Sequence, residues 1–210
     1  MATARFAADV SRLGVFGSSF NPPTLGHTVL LAEAGWQLGL ERIIVVPTGG
    51  AWHKPPAFDP SPETRLRLSR ATFGDLKGVE VCAAEVSRDG PSYTCDTLEE
   101  IHSLNPDSQI YVLAGSDAAL GIEKWHRPDR VLELARFGVA SRSEVAREAV
   151  TDAFESLGAG DRVEFFEMPR VDVSSTLVRE RINDARPWKH LVPPEVAEMI
   201  ENEDLYGSKQ

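Results

Sequence analysis

The stretch GVFGSSFNPPTLGHTVLLAEAGWQLGL, residues 14–40, decides the fold. It begins as an apolar run, passes through a turn rich in glycine, serine and proline, and ends in a helical pattern that places Leu31 and Leu38 on one face. Pro22 and Pro23 suit the start of that helix, where a missing N–H costs no hydrogen bond. A strand, a tight turn and a helix in this order form the first unit of an α/β protein.

Strand-like and helical patterns alternate along the rest of the chain. The apolar runs typical of buried strands are RLGVFG, RIIVVP, VEVCAAEV, QIYVLAG, FGVASR and RVEFFEMP. The helical patterns are TLGHTVLLAEAGWQLGL, SPETRLRLSRATFGDL, SYTCDTLEEIHSL, PDRVLELARF, SSTLVRERINDA and PPEVAEMIENE. The alternation predicts an α/β fold: a doubly wound, Rossmann-like parallel sheet flanked by helices, with a small C-terminal helical portion from about residue 174. We expect a loose N-terminal extension at residues 1–11 and a single domain over residues 12–206.

Two smaller features complete the predicted architecture. Ser61 and Pro62 are expected to cap and begin the second helix, whose Glu and Arg residues are expected to form a solvated face. Residues 143–161 are polar and predict surface helix and loop. In open α/β sheets, ligands bind beyond the carboxyl ends of the strands, which is where the segments GSSFNPP, PTGGAWHK and GSD fall.

Composition and charge narrow the classes of function. The 210 residues carry a formal net charge of −10 and a pI near 5.0, which argues against a nucleic-acid ligand but permits a small anion held by local donors. Cys82 and Cys95 form no CxxC or Cys/His cluster, so we expect two free thiols and no metal held by protein ligands. No apolar stretch reaches membrane-spanning length and no secretory signal pattern begins the chain, so we expect a cytoplasmic protein with no membrane partner. The oligomeric state stays open, a homo-oligomer included.

The first turn has the composition of a phosphate site. Gly17, Ser18 and Ser19 follow the strand, and the start of the next helix offers free N–H groups and the positive end of its dipole. Thr24 and His27 are three residues apart and are expected to share one helical face above that end. The alternative is a tight corner with a packed histidine, but the glycine and hydroxyl residues beside His27 favour phosphate.

A second phosphate element lies in VSSTLVR. Ser174 and Ser175 can cap a helix, and no glutamate completes a capping box, so hydroxyls and N–H groups are expected to stay free. Arg179 falls on the same face as Ser175 and Thr176 and suits a polyphosphate. The alternative is a capped surface helix with Arg179 in a salt bridge.

GSSFNPPTLGH resembles the (T/H)xGH signature of the nucleotidyltransferase superfamily and is similar, more closely, to that of the nicotinate and nicotinamide mononucleotide adenylyltransferases. Further motifs resemble this family in the right order: WHKPP, PSYTCDTL, LAGSDAAL, EKWHRPDRVLELARFGVASR, VSSTLVRERI and LVPPEVAEMIENEDLY. The resemblance covers residues 13–206. Several motifs in order are specific, whereas xxGH alone would not be.

The resemblance implies a role for each matching residue. It assigns catalysis to His27, Thr24 and Arg179. It assigns ATP binding to Gly17, Ser18, Phe20, Gly26, His27, Gly115, Asp117, Ser174, Ser175, Thr176 and Arg179. It assigns binding of the mononucleotide to Ser19, Lys54, Tyr93, Thr94 and Trp125.

Some of these roles have plain alternatives. The nicotinate carboxylate is expected at the helix start near Thr94, and Trp125 is expected to stack on the pyridine ring, although it could be an ordinary core aromatic. Lys54 suits the mononucleotide phosphate, although many loop lysines have no ligand. Asp117 could accept hydrogen bonds from ribose hydroxyls or simply end a strand.

The activity implied is transfer of the adenylyl group of ATP to nicotinate mononucleotide, with Mg²⁺ bound mainly through the ATP phosphates. Three residues depart from the usual bacterial pattern GGTFDPxHxGH: Ser18 replaces a glycine, Asn21 an aspartate and Thr24 a histidine. The departures leave open nicotinamide mononucleotide or another phosphorylated acceptor as substrate. A non-catalytic nucleotide sensor and a structural domain with an inert corner are the remaining alternatives.

Overall fold

A six-stranded parallel sheet forms the centre of the protein, with strand order β3-β2-β1-β4-β5-β6. The computed structural model describes residues 10–50, 60–141 and 143–208. The strands are β1 (Arg12–Ser18), β2 (Arg42–Pro47), β3 (Val79–Val81), β4 (Gln109–Gly115), β5 (Arg136–Ala140) and β6 (Val163–Phe166). The order reverses between β1 and β4, and this confirms the predicted doubly wound parallel sheet.

Helices cover both faces of the sheet. They are α1 (Leu25–Gln37), α2 (Pro62–Phe73), α3 (Thr94–Leu104), α4 (Ser116–Leu120), α5 (Pro128–Leu134), α6 (Glu144–Ser156), α7 (Ser175–Asn183) and α8 (Pro194–Asn202). Buried side chains of α3, α5 and α6 pack on one face, and those of α1 and the end of α2 pack on the other. A third cluster joins α2 to α7 and α8, so the C-terminal helices rest on α2.

Local sequence signals set where several helices begin. Ser61 accepts a hydrogen bond from the Thr64 N–H at 3.3 Å and Pro62 begins α2, as predicted. Ser174 accepts one from the Leu177 N–H at 3.1 Å and caps α7. Helix α4 was not expected, because its five residues are too few to show a helical period.

The predicted strand VEVCAAEV is shorter than expected. Pairing with β2 ends at Val81, and the Ala84 N–H then bonds to the Cys82 Sγ at 3.2 Å as the chain turns. The turn buries Glu85, whose carboxylate accepts a hydrogen bond from the Thr97 hydroxyl at 2.8 Å. The apolar run therefore continues beyond the strand because Cys82 and Ala84 pack against a core cluster that includes side chains of α3 instead of pairing in the sheet.

Three compositional predictions can be compared with the described residues. Cys82 and Cys95 are free thiols, as predicted, and burial raises the pKa of Cys82 to about 11. Most of the predicted extension at residues 1–11 lies outside the described residues, and β1 begins at Arg12. Within the described parts of the chain, no helix has the length and apolar character needed to cross a bilayer.

Replacing Phe137 by alanine should lower the free energy of unfolding by about 3–5 kcal/mol, because a fully buried ring leaves a cavity when it is removed. Phe137 lies on β5, and its ring contacts Phe154 edge to face with centroids 5.0 Å apart. Chemical denaturation of wild type and Phe137→Ala measures the loss. Val145→Ala, on a side chain that is 75% exposed, should change stability by less than about 0.5 kcal/mol, and a loss below about 1 kcal/mol for Phe137→Ala would contradict the packing described.

Candidate active site

A cavity of about 1330 Å³ lies at the carboxyl ends of β1, β2, β4 and β5. It brings together most of the residues that the sequence predicted to contact ATP or to act in catalysis. They are Ser18, Thr24, Gly26, His27, Gly115, Asp117, Ser174, Ser175, Thr176 and Arg179, and the predicted acceptor residue Ser19 lies beside them. Segments more than 150 residues apart in sequence therefore line one cavity, at the place where ligands bind in open α/β sheets.

Other predicted residues lie outside the cavity lining. Gly17 is the last residue but one of β1, and its neighbour Ser18, which ends the strand, lines the cavity. Phe20 is fully buried, with a φ of 46°, and its ring packs edge to face on His27 with centroids 5.3 Å apart. The side chain of Phe20 therefore supports His27 from the core side. Lys54 lies outside the described residues.

The residues predicted to hold the nicotinate group lie at the start of α3. Tyr93 precedes the helix and Thr94 is its first residue, and the Tyr93 ring stacks on His126 at 4.1 Å. Trp125 is partly exposed and packs against Phe137 with centroids 5.7 Å apart. The structure does not place these side chains in the cavity lining, and their predicted contacts with a ligand stay predictions.

Hydrogen bonds nevertheless attach the start of α3 to the rim of the cavity. The Ser92 N–H donates to the Gly50 carbonyl at 2.9 Å, and the Gly49 N–H donates to the Ser92 hydroxyl at 3.1 Å. Gly49 and Gly50 both line the cavity. A ligand that reaches past these glycines would therefore approach the first turn of α3.

Thr24 and His27 form a local pair at the start of α1. Thr24 is the N-cap, with extended backbone (φ −131°, ψ 167°), so the prediction that it shares a helical face with His27 is wrong. The His27 Nδ1 accepts a hydrogen bond from the Thr24 N–H at 3.0 Å and lies 2.9 Å from the Thr24 Oγ1. Glutamate or glutamine usually fills this third helical position, because its side chain can reach back to the cap in the same way.

This contact fixes the tautomer and the charge of His27. Because Nδ1 accepts a hydrogen bond, the proton of the neutral ring is on Nε2. Burial lowers the pKa of His27 from its usual 6.5 to about 4, since desolvation disfavours the charged imidazolium. At neutral pH the side chain is therefore a neutral donor through Nε2.

Hydrogen bonds join helix α7 directly to the turn between β1 and α1. The Ser175 hydroxyl donates to the Pro22 carbonyl at 2.7 Å, and the Arg179 Nη1 donates to the Asn21 carbonyl at 2.6 Å. The Arg179 Nη2 also donates to the Thr176 hydroxyl at 3.2 Å. The expectation that these hydroxyls stay free is therefore wrong, because the residues that line the cavity also join its two halves.

The predicted alternative for Arg179, a salt bridge, is not observed: no carboxylate of the described residues lies within 4.0 Å of its guanidinium. The C-terminal segment adds a further contact to the same turn, since the Tyr206 hydroxyl donates to the Asn21 Oδ1 at 2.6 Å. The starts of α1 and α7 thus face one cavity, to which α1 contributes the neutral donor His27 and α7 contributes the cationic donor Arg179.

Sequence reasoning missed Arg65. It was placed on the solvated face of α2, but its side chain is only 8% exposed and lines the cavity. Its Nη1 donates to the Ser19 carbonyl at 2.7 Å and its Nη2 donates to the Gly49 carbonyl at 3.0 Å. The signal was its spacing, because Arg65 shares one helical stripe with the buried residues Leu68 and Thr72.

One cluster of potential metal ligands occurs within the described residues, and it lies away from the cavity. Cys95, Asp96 and Glu99 bring ligand atoms within 4.8 Å of one another on α3. The Glu99 carboxylate already accepts hydrogen bonds from Arg127 at 3.2 Å and Arg130 at 3.1 Å. Asp117 is the single acidic residue of the described cavity lining.

Comparison with known proteins agrees with this geometry. The Cytidylyltransferase-like family matches residues 15–181. Two proteins named "Probable nicotinate-nucleotide adenylyltransferase" are each 35% identical to the chain. The protein from Carboxydothermus hydrogenoformans aligns over 93% of this chain and 98% of its own length. The protein from Saccharopolyspora erythraea aligns over 93% of this chain and 89% of its own length. The solved structure of Plasmodium falciparum nicotinic acid mononucleotide adenylyltransferase complexed with APC shares the fold, with a TM-score of 0.76 and 18% identity over 94% of this chain and 98% of that chain.

The parallel sheet, the cavity at its carboxyl edge and these matches define the protein as an enzyme of the nucleotidyltransferase class. The chain belongs to the cytidylyltransferase-like family and, within it, to the nicotinate-nucleotide adenylyltransferases of NAD biosynthesis.

Acid should destabilise the wild type more than the His27→Gln variant. The pKa of His27 is lower in the folded protein than in the unfolded chain, so the unfolded state binds the proton first as pH falls. The contribution of neutral His27 to the free energy of unfolding has its full value at pH values above about 6.5 and decreases progressively as the pH falls toward 4. Between about pH 8 and pH 5 the wild type should lose about 2 kcal/mol more than His27→Gln, measured by chemical denaturation at each pH.

Glutamine is the matched replacement because it can accept the Thr24 N–H and cap the helix without titrating. An equal pH dependence of stability in the two proteins would show that His27 is not held neutral by the fold.

Proposed function

We propose that the enzyme transfers the adenylyl group of ATP to nicotinate mononucleotide, giving nicotinic acid adenine dinucleotide and pyrophosphate. The observation that carries the proposal is the pairing of two helix starts across one cavity, α1 with His27 and α7 with Arg179. Helix starts and a guanidinium are suited to a polyphosphate. The relatives' name and the ligands in the titles of the Plasmodium falciparum structures, APC and NaAD, support the same substrates.

The proposed reaction is a direct displacement at the α-phosphorus of ATP. An oxygen of the mononucleotide phosphate forms the new bond, the bond from the α-phosphorus to the bridging oxygen breaks, and pyrophosphate leaves with that electron pair. A phosphate is already ionised at neutral pH, so the step needs no general base from the protein. Positioning and stabilisation of the developing charge then provide the catalysis.

His27 is proposed to stabilise that charge as a neutral donor. Its Nε2–H is the ring position left over after Nδ1 accepts from Thr24, and the residue lines the cavity. The sequence predicts Thr24 as a catalytic residue. Its contact with Nδ1 would hold the imidazole in the correct tautomer. The Thr24 hydroxyl would reach a phosphate oxygen only if it turned away from Nδ1. Arg179, with Ser175 and Thr176, would bind the β- and γ-phosphates.

The other predicted contacts follow the arrangement of the cavity. Gly115 and Asp117, at the end of β4, would face the adenosine with Gly26 and Ser174, and Ser18 would approach the polyphosphate. Gly17 and Phe20 would act through the shape of the turn that they belong to. Ser19, Lys54, Tyr93, Thr94 and Trp125 remain the proposed acceptor residues.

The cavity also fits a magnesium ion that is carried by the nucleotide. Mg²⁺ prefers phosphate oxygens and water, and dedicated protein cages for it are uncommon. Asp117 is the one carboxylate among the described lining residues, so it is the side chain that could reach the ion or its waters. When bound, the ion neutralises charge on the polyphosphate.

His27→Ala should lower kcat by about 10²–10³, because removal of one preorganised donor to the developing charge has a cost of this order. Steady-state assay of pyrophosphate release with ATP and nicotinate mononucleotide measures it. His190→Ala removes an exposed histidine that is not part of the cavity lining and should leave kcat unchanged. Near-normal turnover by a folded His27→Ala variant would refute the proposed role.

The enzyme should prefer nicotinate over nicotinamide mononucleotide by about tenfold in kcat/KM, because a carboxylate gains more than a neutral amide at a helix start such as that of α3. A panel of both mononucleotides, with other phosphorylated acceptors and with ATP or CTP as donor, measures this preference in one assay. A preference for the amide would overturn the acceptor assignment, and turnover of another acceptor alone would overturn the proposed substrate. Binding of ATP without turnover of any acceptor would indicate a nucleotide sensor.

A further inference from the structure

Arg65 is a buried cation that forms no ion pair with any residue the structure describes. Its side chain is 8% exposed, and no carboxylate of the described residues lies within 4.0 Å of its guanidinium. Tyr206, Glu63 and Glu85 act on it electrostatically, and its described hydrogen bonds go to backbone carbonyls instead. The Glu85 carboxylate is itself buried, and its hydrogen bond from the Thr97 hydroxyl at 2.8 Å directs it toward α3.

The contacts that Arg65 does make use only part of its hydrogen-bonding capacity. Nη1 and Nη2 each donate to one backbone carbonyl, those of Ser19 and Gly49. A guanidinium has five N–H donors, so three remain beyond these two bonds. Because the side chain also lines the cavity, a ligand there can meet the remaining donors.

Burying a positive charge against carbonyl groups alone is unfavourable. Carbonyl dipoles compensate it in part, but the full charge still loses its hydration, and the same burial lowers the pKa of Arg65. A neutral residue such as glutamine could donate to one of the same carbonyls without that cost. An anion that binds in the cavity would complete the site and repay the desolvation of the guanidinium.

The position of Arg65 indicates which anion this is. The two carbonyls that it binds follow β1 and β2, whereas Gly115 ends β4 and Asp117 follows it, on the other side of β1. Arg65 therefore lies on the β2 side of the cavity, away from the residues proposed to face the adenosine. A phosphomonoester that approaches His27 from the β2 side would pass next to Arg65.

We propose that Arg65 binds the phosphate of the acceptor mononucleotide and, through its two carbonyl contacts, holds the two loops that surround this phosphate at the correct separation. The assignment rests on the proposed function, since it presumes a phosphorylated acceptor. It gives the acceptor phosphate a cation from a rigid helix within the described residues, in addition to the predicted Lys54.

Steady-state kinetics with varied acceptor and varied ATP test the proposal. Arg65→Gln should raise KM for nicotinate mononucleotide about 10- to 100-fold, the usual effect of losing a hydrogen bond to a charged group, and should change KM for ATP less than about threefold. Arg65→Lys keeps the charge and should restore most of the acceptor KM. Arg70→Gln removes the same charge from an exposed position of α2 and should leave both KM values unchanged.

Calorimetric titration of nicotinate mononucleotide into each variant separates binding from turnover. The expected result is weaker binding to Arg65→Gln, with binding to Arg65→Lys close to that of wild type. An equal rise of both KM values in Arg65→Gln and Arg65→Lys would overturn the proposal, because it would mean that Arg65 only fixes the loops. A rise in KM for ATP alone would assign the charge to the triphosphate instead.

Three further outcomes are distinguishable. If Arg65→Gln does not fold, Arg65→Lys still decides, because it loses the planar fork but keeps the charge: normal acceptor binding supports the proposal, and equal loss for both substrates contradicts it. If wild type turns over a different phosphorylated acceptor, the proposed substrate fails but the same variants test Arg65 with that acceptor. If wild type turns over none, both proposals fail.

Discussion

The backbone carbonyls of the β1–α1 turn are the constraint on which the rest of the site depends. A turn between a parallel strand and a helix leaves backbone groups that neither element pairs, and these must find other partners. The Ser19 carbonyl accepts from Arg65, the Asn21 carbonyl from Arg179 and the Pro22 carbonyl from Ser175. Two helices that begin far along the chain therefore fix one turn, and the turn sets where α1 begins.

The position and the state of His27 follow from this fixed turn. Once Thr24 is held at the start of α1, its N–H reaches the Nδ1 of His27 and leaves the Nε2 proton for the cavity. Phe16 and Phe20 enclose the other sides of the imidazole, with ring centroids 6.0 and 5.3 Å away. The apolar rings disfavour the charged form, so the site presents a neutral donor whose orientation is set before any ligand binds.

The sequence predicted the sheet and the main helices because their apolar periods are long and unambiguous. RIIVVP and QIYVLAG are buried strands, and the patterns that follow them give α2 and, after the unexpected short α4, α5. Prediction failed where a residue's role depends on distant partners. VEVCAAEV stays largely apolar after Val81, yet pairing ends there and Glu85 accepts a hydrogen bond from Thr97 on α3.

Arg65 and Thr24 show the same limit at the site. An arginine near the start of a charged helix usually points to solvent, whereas Arg65 turns inward to the carbonyls of Ser19 and Gly49, which lie in other segments of the chain. Thr24 and His27 are joined by a hydrogen bond, but a three-residue spacing does not reveal whether the first residue is inside the helix or caps it. Spacing along the chain predicts which residues are near each other; the backbone at a helix end decides what they can bind.

The charges of the cavity differ in sign from the charge of the whole chain, and this difference bears on the ligand. The protein carries a formal net charge of −10, whereas the described lining of the cavity holds Arg65 and Arg179 against the single carboxylate Asp117. Much of the acidic excess is exposed, where salt screens it within about 10 Å. A long polyanion would meet that repulsion along its length, but a nucleotide that enters the cavity meets two guanidinium groups at short range. Phosphate binding of the proposed kind would depend on a few oriented donors in the cavity, so a negative net charge of the whole chain does not prevent it.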